Sequence, residues 1–180
     1  MRNSNKNQGF TLLEMLVAIF VLSVGILGAY VAIQKSASIS SYSYARLTAA
    51  YLAQEGIEII RNIKDTNLLE GLGTQPNAWN EGFLNKPYLE AQYTDSQERE
   101  PDLAECSSPC EFDDLRFLQR SYNFYSYTQY PDSVTTPFKR KITLSSFDWD
   151  SYIEVISTVY WKDGSQTKEF KVWEKFYNWW

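Results

Sequence analysis

Residues 9–33 read GFTLLEMLVAIFVLSVGILGAYVAI, and this stretch decides the architecture of the chain. Glu14 is its only charged residue. From Met15 to Gln34 no charge occurs, and within Met15–Ile33 only Ser23 and Tyr30 carry side-chain hydroxyls. A helix rising about 1.5 Å per residue over such a run spans the roughly 30 Å hydrocarbon core of a bilayer. Residues 1–9, MRNSNKNQG, are polar, and their only charges are Arg2 and Lys6. That basic flank predicts that residues 1–9 stay cytoplasmic and that the C-terminal part lies outside. An ordinary secretory signal has a shorter apolar core ending in a small-x-small cleavage site. The small pairs Ser23/Gly25 and Ser36/Ser38 fall inside the run and well after it, so neither is well placed.

Glu14 does not fit a plain membrane anchor. A carboxylate at the centre of a bilayer helix costs about 2.5–3.5 kcal/mol on the insertion scale, and less near the interface. No Lys or Arg lies within one helical turn of it in the sequence. It is either tolerated at headgroup level or paired with a cation from elsewhere: another molecule, or a newly made α-amino group.

The string Gly9-Phe10-Thr11-Leu12-Leu13-Glu14, with a short basic leader before it and MLVAIFVLSVGILG after it, closely resembles the N-terminal signature of type IV pilins and type II secretion pseudopilins. The resemblance implies that a prepilin peptidase cuts between Gly9 and Phe10 and that Phe10 becomes N-methylated. It implies that Glu14, fifth in the mature chain, engages the N-terminal amine of a neighbouring subunit during assembly. The implied partners are that peptidase, other pilin subunits, the assembly platform, and the membrane, crossed once before assembly. The SVGILG segment resembles minor pilins of the V type more than abundant major pilins.

No proline occurs before Pro76, so none interrupts a helix through the first 75 residues. Many type IV pilins carry a proline in the second half of the apolar run; Gly28–Ile33 has none here. Gly25 and Gly28 are read as small contacts for close helix approach, with local softening as the alternative. Beyond Ile33 the pattern turns amphipathic. Ala45, Ala49, Leu52, Gly56, Ile59 and Ile63 follow 4-3-4-3-4 spacing, widened by Ala53, Ile57 and Ile60. Glu58 with Arg61, and Arg61 with Asp65, sit at ion-pair spacing. The expected helix runs from about Phe10 to Asp65, with Asn67, Gly71 and Gly73 as terminators. The expected organisation is a leader over 1–9, a transmembrane or filament-core helix over 10–33, its amphipathic continuation over 34–65, and an extracytoplasmic globular domain over 66–180.

In that domain, residues 66–116 read as irregular with short elements, and contain Pro76, Pro87, Pro101 and Pro109. Eight acidic residues lie between Asp95 and Asp114, against Arg99 alone. Carboxylate-rich loops can bind calcium, but no EF-hand spacing occurs, and the reading is a solvated loop. Cys106 and Cys110 in CSSPC are expected to form a disulfide in an extracytoplasmic domain, with free thiols or a redox pair as competing states. The clearest pattern is C-terminal. Phe138–Leu144, Ile153–Trp161 and Thr167–Tyr177 alternate as strands, with Asp163-Gly164 as the turn before the last. They predict an antiparallel meander, with Phe117–Tyr127 as a candidate fourth strand. One face should pack on the helical stripe, giving an α+β fold. Trp161, Trp173, Trp179 and Trp180 invite a sugar-stacking reading but are read as closing the core and its edge.

Composition sets limits. There is no His among 180 residues, which removes His-based nucleophile systems and imidazole metal sites. Two Cys exclude an all-cysteine zinc site within one chain. The formal charge is −5; removing Arg2 and Lys6 leaves 15 bases against 22 acids, or −7. Strand alternation splits Lys139-Arg140-Lys141 across a sheet. No nucleic-acid contact is expected. No residue constellation supports an enzyme, and no cofactor or metal is implied. The function read is a minor-pilin-like structural subunit, first in the cytoplasmic membrane, then in an extracellular pilus or periplasmic pseudopilus. The alternatives are a single-pass membrane-anchored extracellular binding module, or a major pilin.

Overall fold

A computed structural model of the chain describes residues 11–71, 78–82, 86–93, 101–106, 110–122, 124–148 and 152–178. The chain divides into two compact units between Ser43 and Tyr44. The helix α1, Leu12–Gly71, contributes to both. Its N-terminal part, up to Ser43, is exposed throughout. Gly25 and Gly28 lie within unbroken helix, with nothing within 4 Å of an added Cβ.

In the second unit, α1 packs one face on a five-stranded antiparallel sheet of order β2-β1-β6-β7-β8. The strands are β1 (Tyr88–Tyr93), β2 (Pro101–Glu105), β6 (Lys139–Asp148), β7 (Tyr152–Asp163) and β8 (Gln166–Tyr177). The stripe read from helical spacing is the packed face: Ala49, Leu52, Ala53, Ile57, Ile59 and Ile60 are all buried. They meet inward-facing sheet residues such as Leu89, Ile142, Val155 and Val159. Gly56 is where the backbones come closest. A Cβ there would stand 2.5 Å from Ser157 Oγ and 2.8 Å from Ile142 Cδ1, so this position needs a hydrogen.

The C-terminal meander is present as read. β7 and β8 pair from Tyr152↔Tyr177 to Asp163↔Gln166. Gly164 and Ser165 therefore form the connection, and Gly164 takes φ +61. Glycine at the first central position suits the twist of a two-residue hairpin.

Two expectations about the elements are corrected. First, α1 continues six residues past Asp65 and ends at Gly71, one of the three terminators named. Leu68 packs against the core, and Asn67, expected as a terminator, donates its Nδ2 to Glu81 O at 2.9 Å. Those contacts reward further turns of helix. Second, the fourth strand is not Phe117–Tyr127. That segment forms β3 (Gln119–Ser121) and β4 (Phe124–Ser126), which join β5 (Val134–Thr135) in a separate sheet of order β4-β3-β5. The short elements expected within 66–116 are present. They are a 3-10 turn at Ala78–Asn80 and the strands β1 and β2, with β1 beside β6.

β1 eludes alternation because both its faces are covered. Leu89 and Ala91 face the helix, while Glu90 and Gln92 are buried with polar partners. Glu90 accepts from Arg116 N at 2.7 Å and from Arg116 Nε at 2.6 Å. Gln92 Oε1 accepts from Tyr127 N at 2.6 Å, and its Nε2 donates to Asp102 Oδ2 at 3.0 Å. Paired in this way, the polar side chains avoid the penalty of unsatisfied burial.

Lys139-Arg140-Lys141 divides as the alternation requires, but Arg140 is not at the surface: it is 0% exposed beneath α1. Its Nη1 donates to Leu52 O and to the Glu55 carboxylate, both at 2.9 Å, and its Nη2 donates to Ala91 O. The two lysines point the other way. Lys139 Nζ donates to Phe112 O at 2.9 Å and Lys141 Nζ to Cys110 O at 3.2 Å. Glu58 bonds Arg61 as expected, but Asp65 pairs with Lys64 at 3.2 Å, and Arg61 reaches Glu174 at 2.5 Å. The core-closing role holds for Trp161 and fails for Trp173, which is 64% exposed. Trp179 and Trp180 lie outside the described residues.

Candidate functional site

The helix begins at a capped turn. Thr11 precedes α1, and its Oγ1 accepts from Glu14 N at 3.3 Å. Thr11 O accepts from Glu14 N at 3.1 Å and from Met15 N at 3.2 Å. Threonine suits this place because its oxygen satisfies an N–H that has no partner within the helix. Glu14 is the third residue of α1 and the only acidic residue in its first turn. A negative charge there is favoured by the helix dipole. Its side chain is exposed, and among the described residues no cation is within ion-pair distance.

From Leu12 to Ile33 the large apolar side chains are exposed on every side of the helix. An 18-residue window within α1 has mean hydropathy 2.6, and none of it is buried. By length and composition the helix can cross a membrane. Ser23, the polar residue in the middle of the run, donates its hydroxyl to Ile19 O at 2.7 Å, so it brings no unsatisfied donor into an apolar surrounding. A continuous apolar surface of this extent marks contact with lipid or with other chains. The chemistry is therefore that of association: an apolar cylinder with one acceptor charge near its start. Gly9 and Phe10, the residues named for cleavage and methylation, lie outside the described residues.

The second site named from sequence is in the globular unit. Cys106 and Cys110 are bonded, with a Cα–Cα distance of 5.6 Å. Cys110 takes φ +51, an uncommon conformation for a residue with a side chain. Cys106 N donates to Tyr88 O at 3.1 Å. The bridge thus ties the end of β2 to the segment that covers the outer ends of β6 and β7, where the Phe112 and Tyr160 rings meet edge-on at 6.1 Å. Of the acidic residues between 95 and 114, Asp95, Glu98 and Glu100 fall outside the described residues. Among the described residues no cluster of His, Cys, Asp or Glu could hold a metal ion.

Sequence reading missed the polar groups that hold the domain together: Arg140 under the helix, and Glu90 with Arg116. A sign of the first was available, since an arginine between two lysines on a strand must face the helix if the lysines face away. Tyr127 belongs to the same network. Its hydroxyl donates to Arg140 O at 3.0 Å, and burial raises its pKa well above the usual tyrosine value.

Residues 4–30 match the family model described as the prokaryotic N-terminal methylation motif. No curated protein and no solved structure matches the chain significantly. The matched stretch takes in the start of α1, from Leu12 to Tyr30, and none of the globular unit.

Proposed function

We propose that this chain is the precursor of a minor-pilin-like subunit of a type IV pilus or related pseudopilus. A prepilin peptidase removes residues 1–9, Phe10 becomes the N-methylated terminus, and α1 leaves the bilayer for a bundle of like helices. One observation carries the reading. The methylation motif over residues 4–30 coincides with the start of a helix whose apolar side chains are exposed from Leu12 to Ile33, with Glu14 the single charge in that span.

The physical logic follows from the cost of isolated charge. In an apolar bundle, a carboxylate and an α-ammonium group attract strongly, while each left alone is heavily penalised. Pairing Glu14 of an incoming subunit with the terminus of its neighbour relieves both. It also fixes one axial offset between the chains, which apolar contact alone leaves free. The globular unit, outside the membrane, follows its helix into the filament. Its role is structural, and the partners are the peptidase, the other pilins and the assembly platform.

The test is the intact mass of the membrane-extracted protein, with and without its cognate peptidase. The expected mass with peptidase lacks residues 1–9 and carries one added methyl group. A full-length mass in the presence of active peptidase contradicts the reading and leaves a membrane-anchored extracellular module.

A further inference from the structure

We draw no further inference here: the strongest candidate, the exposed apolar patch that Tyr44, Leu47 and Tyr51 form on α1, carries none, because nothing in the structure shows what covers it.

Discussion

Leu22 and Leu52 lie thirty residues apart on one helix, yet they belong to different kinds of protein. Leu22 is 64% exposed and Leu52 is 2% exposed. Around Leu22 every direction is apolar and open; around Leu52 a sheet fills one side. The first segment holds nothing in place within its own chain, so its composition is explained only by what it meets outside. The second is explained by its own fold. A single α-helical backbone therefore carries two readings, and the hydrophobic pattern marks the change: apolar all round before Ile33, one apolar stripe after Ala45.

The comparison can be pressed hardest at Arg140. Replacing it by Ala removes the donor to Glu55, Leu52 O and Ala91 O beneath the helix. A loss of about 3–5 kcal/mol is expected in chemical denaturation, in the range of broken buried ion pairs. The two leucines give a matched pair. Leu52→Ala should cost about 2–5 kcal/mol through lost burial and a cavity, while Leu22→Ala should leave the unfolding of the globular unit unchanged. Equal effects at both positions would erase the distinction between the segments.

Replacing both Cys106 and Cys110 by Ser should cost about 2 kcal/mol or less, because the bridge closes a short loop. Thermal unfolding with and without reductant reads it. The smallest effect is alkaline. Tyr127 is buried, so its folded pKa lies above the unfolded one. Folding then holds a proton that the unfolded chain releases. Stability is unaffected below the usual tyrosine value and falls as pH rises beyond it, by up to about 1.4 kcal/mol per pH unit. The Tyr127→Phe protein should show a shallower alkaline decline in denaturation midpoints. Burial is the largest cause of the shift, with Glu90 adding to it and Arg140 and Arg116 opposing it.

Much of this was legible in the residues, for reasons that differ by element. The N-terminal helix could be read because an unbroken apolar run has few structural solutions. The meander could be read because alternation in β7 and β8 survives one-sided burial: Val155 and Val159 face in, and Trp173 faces out. The order of the remaining strands could not. β1 carries Glu90 and Gln92 into buried positions, where partners ten to thirty-five residues away offset the cost of burial. No local pattern announces such partners. The helix ends at Gly71, one of the terminators read from the sequence, but it runs past Asp65 and Asn67 for a similar reason, since Asn67 is held by carbonyls beyond its own element. As for the candidate site, Glu14 stood out as a charge without a local partner, and the described residues still supply none.

The account turns on Glu14, and the most direct measurement compares wild type with Glu14→Gln. The quantity read is the fraction of the processed chain in sheared filaments or in the assembled pseudopilus, against the fraction left in the membrane. The account predicts normal removal of residues 1–9 in both, wild-type chain in the filament, and the Gln variant retained in the membrane. Equal incorporation of the two would contradict it, because the carboxylate would then play no part in joining subunits.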